Sequence, residues 1–336
     1  MEDLKLYSFK SIEKLISSRE GETKFGEKIA FIKDVDELKG HPAKFVIFGI
    51  PEDIGVRANQ GKPGASKAWE ATLKSLLNIQ ANNYTHPEAI ILLGHIDCSA
   101  EMQKAENIDE ADPNYYPKLG DLTEIIDKKL SDVMQLIVSG GKIPIIIGGG
   151  HNNAYGNIKG SSKAIGKAIN ILNIDAHTDL RKLEHRHSGN GFSFARNEGS
   201  LGKYSVFGLA RNYTPQYIFE EMKTSEQTEF RLMEELMTFT SEELNTAFND
   251  SLEYVRDEAF GLELDCDVMK DFPSSAQSPS GFSIEQVRNF ISLAARIPQC
   301  SYFHICEAAP SAENQGQVGK AIAFFITDFT NAAYGR

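Results

Sequence analysis

Asp175-Ala176-His177-Thr178-Asp179 places three metal-binding side chains within five residues. An apolar run, Ala168-Ile-Asn-Ile-Leu-Asn-Ile174, leads into it and predicts a buried strand that ends in a loop. Side chains alternate along a strand, so Asp175, His177 and Asp179 are expected to share one side. Two carboxylates and an imidazole converging there suit a divalent first-row metal, Mn²⁺ ahead of Zn²⁺. The plainer alternative, a polar loop of solvated charges, leaves the common face unexplained.

Two further segments carry the same kind of residue. Lys142-Ile-Pro-Ile-Ile-Ile-Gly148-Gly149-Gly150-His151 is an apolar strand ending in glycines and a histidine. Glycines there allow the backbone to turn sharply and to approach a ligand. In Gly261-Leu-Glu-Leu-Asp265-Cys-Asp267-Val, the strand period predicts Asp265 and Asp267 on one face. Neighbouring carboxylates on an apolar strand repel and desolvate one another, so they call for a cation between them. A frayed strand end salt-bridged to surface lysines would account for one such segment, but not for three.

These residues need a scaffold, and the chain predicts an α/β fold. Apolar strands are expected at 44–50, 89–97, 143–148, 168–175, 204–209, 261–267 and 301–306. Helical patterns fall between them, clearest at 66–80, 121–139, 241–257 and 283–297. The alternation implies three α/β/α layers around a mostly parallel central sheet. In such sheets the ligand site lies beyond the carboxyl ends of the strands, where His151, Asp175, Asp265 and Glu307 fall. Residues 1–40 read as a polar, helix-prone extension and 41–336 as a single domain. The hydrophilic stretch 99–120 reads as an insertion loop.

The 336 residues allow a sizeable core, and the net charge of −12 argues against nucleic acid or an anionic membrane as partner. The N-terminus lacks the apolar run of a secretory signal and no stretch is long enough to span a bilayer, so a cytoplasmic protein is expected. Cys98, Cys266, Cys300 and Cys306 have no paired metal spacing, and reduced, mostly buried thiols are expected.

The motifs at 148–151, 175–179 and 263–267 together resemble the signatures of the ureohydrolase superfamily of arginases, agmatinases and formimidoylglutamases, in order and in spacing. The resemblance runs from about residue 44 to the C-terminus and implies an arginase-like fold. It also implies two Mn²⁺ per subunit, one held by His151, Asp175, Asp179 and Asp265, the other by His177, Asp175, Asp265 and Asp267. A hydroxide bridging the ions would attack a planar amidine or guanidine carbon. On the same resemblance Asp179 hydrogen-bonds that hydroxide and Glu307 pairs with the substrate's cationic nitrogens. His187 is the candidate proton donor, although arginases carry theirs a few residues later, where this chain has Gly191-Phe192. Homo-oligomers are expected on the same ground.

For the substrate, the segment Gly49 to Ala65 is most similar to formimidoylglutamases, and Ser188-Gly-Asn-Gly-Phe192 and Gly208-Leu-Ala-Arg211 resemble segments of theirs. The resemblance implies hydrolysis of the formimino C–N bond of N-formimino-L-glutamate to glutamate and formamide. That substrate has two carboxylates, for which Arg57, Asn59, Asn190 and Arg211 are candidate partners. The chain departs from the superfamily at Glu263, where a small residue is usual, and at Asn152-Asn153, where serine is common. Two alternatives stay open: a urea-releasing enzyme for arginine, guanidinobutyrate or agmatine, and a non-catalytic family member serving as a binding subunit.

Overall fold

The computed structural model describes residues 3–335. The strands are β1 (Leu4–Leu6), β2 (Phe45–Gly49), β3 (Ile90–Ile96), β4 (Ile143–Ile147), β5 (Ile169–Ile174), β6 (Leu201–Leu209), β7 (Thr228–Leu232), β8 (Phe260–Asp265) and β9 (Cys300–Cys306). They form one sheet in the order β1-β3-β2-β4-β9-β8-β5-β6-β7. Only β1 runs antiparallel, pairing with β3 at the edge.

The central strands are continuous β-branched and aromatic runs because both their faces are covered. Along β2, Phe45 and Ile47 enter one core layer while Val46 and Phe48 enter the other. The first layer is closed by the helices Ala68–Leu76, Ser241–Val255, Ile284–Ala295 and Gln315–Ala333. The second is closed mainly by Tyr115–Ser139 and Asn153–Ile165. Within Tyr115–Ser139, Leu119, Leu122, Ile126, Leu130, Val133 and Ile137 recur at helical spacing and are buried. Truncating Leu130 there should cost about 2–5 kcal/mol.

Two expectations are corrected. The stretch 99–120 is mostly helical: Ser99–Glu106 is a helix, and Tyr115–Ser139 begins within it. Pro117 is compatible with this because it sits in the first helical turn, where a backbone N–H would have no intrahelical acceptor. Within the expected 1–40 extension, the described residues hold only short helical turns, Phe9–Ile12, Glu13–Leu15, Phe25–Glu27 and Val35–Gly40, and they pack onto the sheet rather than extend from it. Leu4 to Leu6 add an edge strand, and Ile12, Phe25 and Ile29 enter one core layer while Ile32 and Leu38 enter the other. These apolar residues are too sparse for a periodic signal, but each pins the segment to the sheet. The strand Thr228–Leu232 was not foreseen either, because as an edge strand it is only partly buried.

No helix among the described residues is long and apolar enough to cross a membrane. All four cysteines are buried.

Candidate metal centre

Strands β4, β9, β8 and β5 are neighbours at the middle of the sheet. Their carboxyl ends deliver His151, Glu307, Asp265 and Asp175 to one place.

The turn after β4 depends on glycine. Gly148 and Gly149 have φ of +88° and +74°. A Cβ on Gly149 would lie 2.0 Å from Asn153 Nδ2 and 2.8 Å from Glu52 Oε1. Glu52 is fully buried and holds the turn from beneath, accepting from Gly150 N (3.2 Å), Asn152 Nδ2 (3.1 Å) and Asn153 Nδ2 (2.8 Å). The Asn152-Asn153 departure thus serves this carboxylate. Sequence reasoning passed over Glu52, although its place just beyond β2 was a usable signal.

The aspartate motifs converge for a different reason from the one expected. Strand β5 stops at Ile174 and β8 at Asp265, so strand alternation does not extend through either motif. Instead the first aspartate of each accepts the backbone N–H two residues on. His177 N donates to Asp175 Oδ1 at 2.7 Å, and Asp267 N donates to Asp265 Oδ1 at 2.7 Å. These local turns swing the third residue back beside the first. Asp179 and Glu307 complete the group from left-handed backbone, with φ of +47° and +60°. Such strain in non-glycine residues concentrates at functional sites.

The result is a buried cluster of carboxylates and imidazoles. His151 Nδ1 lies 2.9 Å from Asp179 Oδ2 and 3.2 Å from both Asp175 Oδ2 and Asp265 Oδ2. His177 Nδ1 lies 3.5 Å from Asp175 Oδ1 and 4.0 Å from Asp267 Oδ2. Asp175 therefore stands between the two imidazoles. One nitrogen can donate one hydrogen bond, yet three oxygens surround His151 Nδ1 and none accepts from it in hydrogen-bond geometry. That arrangement fits a cation at the common focus better than a proton.

Electrostatics points the same way. Burial and neighbouring carboxylates push Asp265 well above the ordinary range, and burial raises Asp179 and Asp267. Burial disfavours charge on His177, but its contact with Asp175 and the charges of Asp267 and Asp179 outweigh this and lift it to about 10. Without a cation, the group must hold protons to be tolerated. The four side chains His151, Asp175, Asp179 and Asp265 can all offer atoms to one ion.

A cavity of about 490 Å³ opens over this group, lined by His177, Asp179, Asp265, Asp267 and Glu307. Glu307 Oε1 accepts from His151 N at 2.7 Å, while Oε2 is buried without a partner. Burial, then the charge of Asp267, lifts Glu307 to about 8.

Of the candidate substrate residues only Asn59 lines the cavity, donating to Ser188 Oγ at 3.1 Å. Arg57 turns away to donate to Ala105 O at 3.0 Å. Asn190 is buried in the loop, accepting from Arg186 and from His187 N. Arg211 is exposed and faces Glu234, its Nε 3.8 Å from Oε1. In its place Tyr213 stacks on His177 with ring centroids 5.3 Å apart. The arginine that does line the cavity is Arg181, two residues beyond Asp179, held by Asn59 Oδ1 at 2.6 Å. His187 also misses the cavity. Its Nδ1 accepts from Gly189 N and its Nε2 contacts Glu184 Oε1, both at 3.1 Å, and burial lowers it to about 4. His185, two residues earlier, contacts Ala58 O through its Nε2 at 3.2 Å.

The model of the arginase family matches residues 43–330. The formimidoylglutamase of Lysinibacillus sphaericus (strain C3-41) is 28% identical over 296 residues, 86% of this chain and 84% of that protein. The crystal structure of formimidoylglutamase from Bacillus subtilis subsp. subtilis str. 168 superposes with a TM-score of 0.76 at 19% identity, covering 95% of this chain and 94% of that one. Trypanosoma cruzi formiminoglutamase with Mn²⁺ superposes with a TM-score of 0.74 at 18% identity, covering 94% and 99%. At such identities the superpositions establish the fold alone. The match over residues 43–330 goes further: this chain belongs to the arginase family and is a hydrolase of C–N bonds.

Proposed function

We propose that the chain hydrolyses the formimino C–N bond of N-formimino-L-glutamate, with two Mn²⁺ ions in the buried cluster. His151, Asp175, Asp179 and Asp265 would hold one ion, and His177, Asp175, Asp265 and Asp267 the other. The observation that carries this reading is the ring of aspartate oxygens around His151 Nδ1 at the floor of the cavity. When bound, the ions supply Lewis acidity and lower the pKa of water.

The chain's own residues supply position. Glu307 Oε2, buried and unpartnered beside the cluster, accepts an N–H of the substrate's amidinium group. Its Oε1 is already shared with His151 N, so the grip is one strong hydrogen bond with a weaker second. At the mouth, Arg181 and Asn59 face a substrate carboxylate, and Lys62 stands in the adjoining hollow beside His177 and Tyr213. Arg57, Asn190, Arg211 and His187 have no part in this scheme, since their side chains are engaged elsewhere.

The test is hydrolysis of N-formimino-L-glutamate by manganese-reconstituted protein, scoring formamide and glutamate, with EDTA-treated protein as control. Turnover that requires the metal is expected. Urea from a guanidino substrate, with no formamide from this one, would replace the proposed substrate.

A further inference from the structure

Behind the cluster lies a group of side chains that the scheme above does not use. Glu263, Tyr302 and His304 are all fully buried in the middle of the sheet. Glu263 is two residues before Asp265 on β8, so the two share a face and Glu263 lies one layer deeper. Its neighbour in register on β9 is His304. Tyr302 sits opposite Gly261, where a Cβ would lie 2.2 Å from Tyr302 Cζ. Glycine at 261 therefore makes room for the tyrosine ring.

The three side chains meet at the glutamate. Tyr302 Oη donates to Glu263 Oε1 at 2.6 Å, and His304 Nδ1 meets Glu263 Oε2 at 2.5 Å. The same Oε2 lies 3.6 Å from Nε2 of His151, just beyond hydrogen-bond length, and that nitrogen is buried with no hydrogen-bond partner of its own; Nδ1 of the same ring is the atom ringed by aspartates. His151 thus lies between a cation site facing one nitrogen and a buried carboxylate facing the other. Imidazole ligands to metals generally donate their second N–H to such an acceptor, which sets tautomer and ring orientation.

We infer that Glu263 is a positioning residue for His151: it keeps the proton on Nε2 so that Nδ1 is free to bind a cation, and Tyr302 and His304 anchor its carboxylate. The inference rests on His151 being a metal ligand. A carboxylate has about four acceptor sites. Tyr302 and His304 occupy two, leaving capacity on the oxygen that faces His151. A small residue at 263 would leave Tyr302 Oη without its acceptor in a dry layer, at a cost.

The experiment is a Mn²⁺ titration followed by EPR and metal analysis, on wild type and Glu263→Gln. Wild type should bind two ions. The amide turns an N–H towards the imidazoles, so the variant should bind the ion shared with His151 roughly 10–100-fold more weakly. It should then fill as one tight and one weak ion, whereas a general loosening would weaken both alike. Equal affinities in a folded variant would overturn the inference and leave the metal site standing. No ions in wild type would overturn the metal site itself. Three ions per chain would also overturn the inference, because His151, Glu263, His304 and Cys306 would then hold a metal of their own.

Should Glu263→Gln fail to fold, ¹⁵N-histidine NMR of the zinc-loaded wild type decides the matter. A slowly exchanging Nε2–H on His151 is expected, and an unprotonated Nε2 would refute the inference.

Discussion

Replacing Arg181 by alanine separates the account of substrate binding from its closest rival. Arg181 lines the cavity and is held by Asn59, whereas Arg211, the candidate from the sequence, faces Glu234 outside. A charged hydrogen bond to a carboxylate contributes about 1.5–3 kcal/mol when shielded. The Arg181 side chain is 51% exposed, so solvent screening reduces this. About 1–2 kcal/mol remains, which corresponds to a rise in KM of roughly 5–30-fold. Arg211, at 64% exposure, has only a loose contact with Glu234, so Arg211→Ala should change KM less than about twofold. The assay is steady-state hydrolysis of N-formimino-L-glutamate, with a carboxylate-free amidine as second substrate. Arg181→Ala should leave the second substrate's KM within about twofold, since uniform binding to a missing group cannot be lost. If Arg211→Ala proves the more damaging, or Arg181→Ala affects both substrates equally, the reasoning from side-chain placement fails.

Three further outcomes are expected. His187→Gln should keep turnover within a few-fold and leave the pH profile unmoved, because the ring contacts Gly189 and Glu184 rather than the cavity; a general acid would lose about 10²–10⁴-fold. Gly149→Ala should destabilise the protein by a few kcal/mol, about 2–4, in thermal or urea unfolding, because a Cβ there collides with Asn153 from a φ of +74°. Manganese uptake should release protons. Against the burial that disfavours its charge, the contact with Asp175 holds His177 at about 10, so it is protonated at neutral pH in the metal-free chain and must be neutral to bind. Apparent affinity should therefore rise with pH from 6 to 8, and calorimetry in buffers of different ionisation enthalpy should register at least one proton released. A flat pH dependence would contradict the protonated cluster.

How far the sequence could be read depended on how local the cause was. The central strands were legible because burial on both faces writes continuous apolar runs. The cluster residues were legible because they follow such strands directly. The side chains that alternation grouped at 175–179 and 265–267 do come together, yet the physical agent is an aspartate accepting the N–H two residues on. The edge strands and the N-terminal segment carry few apolar residues and left no period to find. The loop arginines and Asn190 were misplaced for another reason. Where a loop side chain points is decided by distant partners, as Arg57 by Ala105 and Arg211 by Glu234. Arg181, by contrast, was hidden in plain view, adjacent to a motif whose own residues drew the attention. Glu263 stood out only as a departure, and its role depends on Tyr302 and His304 in the neighbouring strand.

The central claim is that the residues gathered beyond β4, β5 and β8 hold two divalent ions. Metal analysis of manganese-loaded wild type beside Asp265→Ala tests it most directly, since Asp265 is assigned to both ions and removing it should empty both. Two manganese ions per chain in wild type and none in the variant, with the variant still folded, is the predicted result. A folded Asp265→Ala protein that retains two ions, or a wild type that binds none, would contradict the account.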